Sequence, residues 1–449
     1  MMNIILLSGG SGKRLWPLSN ETRSKQFLRL LKNDEQENES MVQRVYRQIR
    51  SAGINAHIVV ATGKSQVDSI QSQLGHNVDI VQEPERRDTF PAIALASSYL
   101  ALEKQMSPDE VVVVLPVDPF AELHYFQTLQ KMESVVQANL ANMALMGIRP
   151  TYPSAKYGYI VPDGIGHIGA VEYRRVDRFQ EKPTEELAAQ LIEQGALWNG
   201  GVFAFKLGYL MDIVRQYLEF ETYADVYRQY GQLTKISFDY AVVEKESSIA
   251  MVEYDGIWKD LGTWNTLTEV MDDAAVGKVI MADTCENSHV INELDIPVTV
   301  LGAKNLVIAA SPDGILVSDK HQSSYLKPLV DHIQQRPMYE ERRWGEYKVL
   351  DYTTYGDDSL SLTKHMFVRA GKEISYQVHA IRDEIWTFVD GTGLLVLDGH
   401  VRNVRRGDVA YITKGTKHAI KAISDLHFIE VQIGSELAES DIERFDWDW

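Results

Sequence analysis

Cysteine is nearly missing from this chain: Cys285 is the single one in 449 residues. One thiol cannot close an intrachain disulfide, so no disulfide framework supports the fold, and such usage fits a reducing compartment. Long apolar runs are missing as well. The most apolar one, residues 111–115, is far short of the roughly 20 residues that span a bilayer. The opening Met1-Met2-Asn3-Ile4-Ile5-Leu6-Leu7-Ser8 lacks a basic segment and meets Gly9-Gly10 after four apolar residues, so it does not read as a secretory signal. A cytoplasmic protein with no membrane partner is expected. Positive charge is scarce too: 45 Lys plus Arg face 63 Asp plus Glu, a net charge of −18. Such a surface repels nucleic acid and anionic lipid, which argues against a polynucleotide partner. A small anionic substrate stays open, because a few local Lys and Arg residues can hold a phosphate within an acidic protein.

What is present is ordinary globular composition, 45% hydrophobic and 24% charged, over a length that predicts two or three domains. Up to about residue 275, apolar runs of strand length (4–7, 57–61, 78–81, 111–115 and 144–148) alternate with helical patterns at 40–49, 89–102 and 126–138. Continuous apolar strands alternating with helices predict a doubly wound α/β domain with a mostly parallel sheet. Beyond it, short apolar pieces at 298–301, 306–309 and 315–317 are divided by Gly, Pro, Asn and Asp, which predicts a small β-rich module. A charged, Gln-rich stretch over 331–343 reads as a connector. From Trp344 on, short strands with turns at Gly371, Gly391, Gly393, Gly399, Gly407 and Gly415 predict a small barrel or sandwich. The expected division is 1–275, 276–335 and 336–449.

The segment richest in chemistry follows the first strand: Leu7-Ser8-Gly9-Gly10-Ser11-Gly12-Lys13-Arg14-Leu15-Trp16-Pro17-Leu18. Three glycines in four positions allow a sharp turn whose N–H groups can face an anion, with Lys13 and Arg14 beside it. It is not a Walker A loop, since Lys13 is followed by Arg14, nor a dinucleotide fingerprint, since Leu15 stands where the third Gly belongs.

The whole string resembles the signature loop of nucleotide-sugar pyrophosphorylases. Its continuation to Lys25-Gln26-Phe27-Leu28 resembles the mannose-1-phosphate guanylyltransferase branch, with Ser24 where that branch usually has Pro. The likeness continues in order. Glu83-Pro84-Glu85-Arg86-Arg87-Asp88-Thr89 resembles the base-site segment, with Asp88 and Phe90 in place of Asn and a small residue. Leu115-Pro116-Val117-Asp118 resembles Leu-Pro-x-Asp-His, with Pro119 in place of His. Tyr157-Gly158-Tyr159, Phe179-Gln180-Glu181-Lys182-Pro183, Trp198-Asn199-Gly200-Gly201, Phe238-Asp239-Tyr240 and Trp258-Lys259-Asp260-Leu261-Gly262 follow. The resemblance implies a Rossmann-like nucleotidyltransferase domain joining GTP to α-D-mannose 1-phosphate. It also implies a role for each matching residue. Leu7, Gly9, Gly10, Ser11, Gly12, Lys13, Glu83 and Asp88 would bind the nucleotide. Arg14 and Lys25 would neutralise phosphate charge. Asp118 and Asp260 would hold Mg²⁺, a hard cation suited to carboxylate and phosphate oxygens. Tyr157, Gly158, Glu181, Lys182, Asn199 and Asp239 would bind the sugar phosphate. A homo-oligomer, as a dimer, is the expected assembly. Rival readings are another sugar 1-phosphate such as a heptose, a bifunctional isomerase, and a non-catalytic nucleotide-sugar-binding subunit.

Further on, Arg343-Trp344-Gly345-Glu346-Tyr347 resembles the entry to the isomerase-like cupin of two-domain guanylyltransferases, and the module before it would be a left-handed β-helix segment. The cupin motif Gln-x-His-x-His-Arg-x-Glu-His-Trp reads here Gln377-Val378-His379-Ala380-Ile381-Arg382-Asp383-Glu384-Ile385-Trp386, with His418 in the second half-motif. Strand alternation would turn residues 379 and 381 both inward, and Ile381 cannot ligate a metal. Gln377, His379, Glu384 and His418 remain as a reduced ligand set. The favoured reading is a degenerate barrel that supports or oligomerises, without mannose-6-phosphate isomerase activity.

Overall fold

A computed structural model describes residues 2–10, 12–333, 335–356, 359–438 and 441–449. The chain forms two compact units: Met1–Leu15, Ser24–Val67 and Gln73–Asp272 make the first, and Trp16–Arg23, Asp68–Ser72 and Asp273–Trp449 the second.

The first unit is built on a nine-stranded sheet. Its strands are β1 (Asn3–Ser8), β2 (His57–Gly63), β3 (Asp79–Glu83), β4 (Val111–Pro116), β5 (Met143–Ile148), β6 (Tyr159–Ile168), β7 (Val171–Gln180), β8 (Leu197–Lys206) and β9 (Ile249–Tyr254). Their spatial order is β3-β2-β1-β4-β8-β5-β9-β7-β6. All but β8 and β7 run the same way. Each apolar run of the sequence lies in a strand, and β1, β4 and β5 are buried nearly throughout, as parallel strands covered on both faces must be. Helix α1 (Met41–Ser51) starts at a capping box in which the Ser40 hydroxyl accepts the Gln43 N–H and the Gln43 side chain accepts the Ser40 N–H. Helix α2 (Thr89–Ser98) is buried on nearly all sides, since Phe90, Ile93, Leu95 and Ala96 pack into one core with strands β1 and β4. The helical pattern beyond Ser98 closes as a wider turn over Tyr99–Glu103. Helix α3 (Leu123–Gln137) buries Tyr125, Phe126, Leu129 and Met132.

In the second unit short parallel strands stack as rungs. Ala275–Gly277, His289–Asn292 and Leu306–Ser311 form one stack, and Val279–Met281 pairs in parallel with Val298–Val300. Segment 16–23 belongs here. The Ser311 hydroxyl donates to the Pro17 carbonyl at 2.8 Å, Asn20 donates to Asp313 at 2.8 Å, and the Arg23 guanidinium holds both Glu293 oxygens at 2.7 and 2.9 Å. The remainder is a six-stranded and a five-stranded antiparallel sheet, with Trp386, Phe388, Leu395 and Phe428 in the core. Four of these strands matter below: β10 (Glu373–Val378), β11 (Arg382–Asp390), β12 (His418–Ala422) and β13 (Leu426–Gly434).

Candidate active site

The carboxyl ends of β1, β2 and β4 open on a cavity of 370 Å³ lined by Leu7, Gly9, Gly10, Glu83, Asp88 and Asp118, with Gln26, Gln66, Arg86 and Arg87. Sites of this kind form where parallel strands end and the chain turns away. Gly10 has φ +116°, a conformation that L side chains rarely adopt, so the turn leaving β1 depends on glycine there. Gly12, Lys13 and Arg14 lie in a single helical turn, Gly12–Leu15, that leaves Arg14 exposed. Ser11 falls outside the described residues. The loop is braced from below: Gln66 donates to the Gly10 carbonyl at 3.3 Å and to the Ser24 hydroxyl at 2.7 Å, while Gln26 reaches the Ser8 carbonyl at 3.3 Å. Ser24 also donates to the Gly10 carbonyl at 3.4 Å. Its exchange for the usual Pro therefore adds hydrogen bonds to the loop, beyond the change in stiffness read from the sequence.

Asp118, Asp260 and Lys25 meet at the edge of this cavity. A two-stranded ribbon places Asp260 opposite Pro119 and Trp258 opposite Ala121, so the two carboxylates come together although far apart in sequence. Lys25 Nζ lies 2.7 Å from Asp118 Oδ2 and 3.8 Å from Asp260 Oδ1. Burial pushes both carboxyls up. For Asp118 the Lys25 ammonium outweighs burial and the carboxyl falls below the usual range, whereas for Asp260 the neighbouring Asp118 charge adds to burial and raises it. Lys25 is held protonated by both acids against the burial that opposes its charge. Two carboxylates gathered on one cation, with free space beside them, are a donor set that fits a hard dication completed by phosphate oxygens.

The predicted sugar-phosphate residues also converge. A Cβ at Gly158 would lie 2.5 Å from Glu181 Oε2 and 2.6 Å from the Phe179 ring, so only glycine lets Glu181 approach this closely. Lys182, in the left-handed region at φ +42°, donates to Glu181 Oε1 at 2.7 Å. A bulge in β8 between Asn199 and Phe203 leaves the Asn199 side chain free to donate to Asp239 Oδ1 at 2.6 Å. Burial, then the Glu181 charge, pushes the Asp239 carboxyl up to about 7. The Tyr157 ring stands 4.8 Å from Trp198 and 5.5 Å from Trp258, in the wall of a second cavity of 780 Å³ that also reaches Asp260.

Glu83 is buried, and its Oε2 accepts the Tyr230 hydroxyl at 2.6 Å. Burial holds its carboxyl above the usual range. Tyr230, Gln26 and Gln66 were not picked out as site residues. Gln26 sits inside the Lys25-Gln26-Phe27-Leu28 string, whereas Tyr230 and Gln66 carry no local signal. Asp88, exposed and at φ +75°, caps α2 by accepting the Thr89 N–H at 2.8 Å.

In the barrel the expectation that residues 379 and 381 share the inner face is overturned. Strand β10 ends at Val378, the chain bends at Ala380 and Ile381, and Ile381 turns outward at 38% exposure. Alternation stops where the strand stops. Arg382, which opens β11, is the residue that faces in. Its Nε donates to Glu384 Oε1 at 3.0 Å and its Nη2 stands 3.3 Å from His379 Nε2. His379, Glu384 and His418, all buried, each present an atom within 4.8 Å of the others. Gln377 Nε2 lies 3.4 Å from His379 Nε2. No helix among the described residues is long and apolar enough to cross a membrane.

Residues 3–276 match the protein family described as Nucleotidyl transferase, and residues 331–447 the one described as Mannose-6-phosphate isomerase C-terminal. A Vibrio cholerae protein assigned as a mannose-1-phosphate guanylyltransferase is 30% identical over 98% of this chain and 99% of its own length. The mannose-1-phosphate guanylyltransferase of Escherichia coli is 29% identical over 98% of this chain and 97% of its own length. A solved Thermus thermophilus structure, named as a mannose-1-phosphate geranyltransferase, superposes with a TM-score of 0.61 at 27% identity. It covers 74% of this chain and 99% of its own.

Proposed function

The chain belongs to the nucleotidyl transferase family, with mannose-1-phosphate guanylyltransferases among its full-length relatives, and from that premise we propose that it joins GTP to α-D-mannose 1-phosphate, giving GDP-mannose and pyrophosphate. A sugar-phosphate oxygen attacks the α-phosphorus of GTP, the new P–O bond forms as the bond to the β-phosphate oxygen breaks, and pyrophosphate leaves. Two anions must be brought together, so positioning and charge neutralisation dominate, without a covalent intermediate. The observation that carries the reading is the meeting of Asp118, Lys25 and Asp260 beside the glycine-lined cavity.

The nucleotide lies along Leu7, Gly9, Gly10, Gly12 and Lys13, with Asp88 at its border, and Arg14 meets the triphosphate. Glu83 accepts from the guanine edge, which offers N–H donors that adenine does not present together. Asp118 and Asp260 hold Mg²⁺, which when bound supplies positive charge against the phosphate oxygens. Lys25 neutralises the reacting phosphates from the same point. Glu181, Asn199 and Asp239 orient sugar hydroxyls, Lys182 takes the sugar phosphate, and Tyr157 and Gly158 close that end. Residues 1–275 carry this chemistry, with 276–335 and 336–449 as a β module and a barrel.

The test is pyrophosphate release with Mg²⁺, crossing GTP, ATP, UTP, CTP and dTTP against mannose 1-phosphate, glucose 1-phosphate and a heptose 1-phosphate. Release confined to GTP with mannose 1-phosphate is expected. Release with GTP and only another sugar would correct the substrate. No release in any pairing from folded protein would favour the non-catalytic binding subunit.

A further inference from the structure

The isomerase-type barrel that residues 331–447 match implies a metal among His and Glu side chains, and His379, Glu384 and His418 are gathered as such a site would need. Their surroundings do not fit a divalent ion. We infer that, with Ile381 where the family motif has its second His, the guanidinium of Arg382, an arginine that motif also carries, stands in place of the metal, so that this barrel is closed to divalent cations and is held together by an organic cation of its own.

Three observations carry this. The first is competition for the same lone pairs. Arg382 Nε donates to Glu384 Oε1 at 3.0 Å and Nη2 lies 3.3 Å from His379 Nε2, so the guanidinium already engages an oxygen and a ring nitrogen of two of the three clustered residues. The second is that Arg382 has nowhere else to go. It is 4% exposed, and its Nη1 donates to the Ala438 carbonyl at 3.0 Å, so all three guanidinium nitrogens are engaged. A guanidinium does not lose its proton inside a protein, so it cannot yield the site by neutralising. The third is charge. Around this cluster the acids Glu384, Glu430 and Asp441 face the bases Arg382 and Lys364: Arg382 Nε lies 3.0 Å from Glu384 Oε1, Lys364 Nζ 3.6 Å from Glu430 Oε2, and Arg382 Nη1 4.0 Å from Asp441 Oδ2. A dication added to that set would turn it net positive in a buried place, with the carboxylates already engaged by Arg382 and Lys364. The outward turn of Ile381 removes one further ligand position. His418 Nε2, which makes no hydrogen bond among the described residues and faces Glu384 Oε2 at 3.5 Å, is the atom left ready for a metal if the guanidinium were taken away.

The experiment uses the full chain, loaded with Zn²⁺, dialysed exhaustively against metal-free buffer to remove loosely held ions, and assayed for retained zinc per chain. Wild type is expected to retain none. Arg382→Met, checked for a cooperative melting transition, is expected to retain about one equivalent, lost again when His418→Ala is added. Wild type that retains stoichiometric zinc, released by His418→Ala alone, would overturn the inference. So would a folded Arg382→Met that stays metal-free, because the guanidinium would then not be what excludes the ion. The wild-type arm stands even if Arg382→Met fails to fold. None of these outcomes depends on pyrophosphate release, so the inference and the proposed transferase activity stand or fall separately.

Discussion

Glu83 offers one oxygen to Tyr230 and turns the other, Oε1, toward Gly9, where a Cβ would lie 4.0 Å away. A buried carboxylate with one oxygen already bonded is a fixed acceptor, and fixed acceptors discriminate strongly between donors and non-donors. Glu83→Gln keeps the shape and exchanges half of the acceptor capacity for a donor. Its kcat/KM for GTP is expected to fall about 10–100-fold, with a smaller loss for ITP, which lacks the exocyclic amine. An unchanged kcat/KM for GTP would remove Glu83 from base recognition. Asp239 is a second single-residue case. Its carboxyl titrates at about 7, so rising pH adds a negative charge beside Glu181 in the pocket assigned to an anionic substrate. Compared with Asp239→Asn, the wild-type KM for sugar 1-phosphate should worsen as pH climbs from 6 to 8, and the two profiles should run parallel if Asp239 stays outside the site. The same shift bears on stability with a definite sign. A carboxyl raised in the folded state binds its proton more tightly there, so its contribution declines as pH rises from its unfolded value near 4 to about 7.

Short elements do the positioning, and here the sequence is uneven as a guide. The strands and the glycine turn after β1 were legible because buried parallel strands write themselves as continuous apolar runs and a turn at φ +116° demands glycine. Asp118 and Asp260 were legible only as members of a family pattern, since the ribbon that pairs Pro119 with Asp260 is a long-range contact without local periodicity. Tyr230 was invisible for the same reason. Ile381 was the residue placed on the wrong face, because strand alternation does not continue past Val378, where the strand ends, and Arg382 faces in instead. Two predictions belong at this scale. Gly158→Ala would drive a Cβ against Glu181 and Phe179, and a displacement near 1 Å in a positioned carboxylate costs up to about 10²-fold, so kcat/KM for the sugar phosphate should drop while GTP binding holds. Unchanged kinetics would mean that Glu181 does not position the sugar. In the second unit, Arg23→Ala strips both hydrogen bonds from half-buried Glu293 and should lower stability by about 1–3 kcal/mol in a denaturant titration. A change within error would show the pair to be idle.

Over the whole molecule, a net charge of −18 surrounds a reaction between two anions, and the few cations matter more for it. Arg14 and Lys25 lie beside Asp118 and Asp260, while Lys182 comes from another stretch of chain and pairs with Glu181. The acids Asp118 and Asp260 arrive from two more, and they mark where the phosphates of both substrates would meet. The most direct test is therefore Mg²⁺-dependent pyrophosphate release by Asp118→Asn and Asp260→Asn at saturating GTP and mannose 1-phosphate. Each variant should keep a cooperative melting transition and lose about 10²–10³-fold or more in turnover. Wild-type turnover in both would contradict the assignment of this pair as the seat of the reaction.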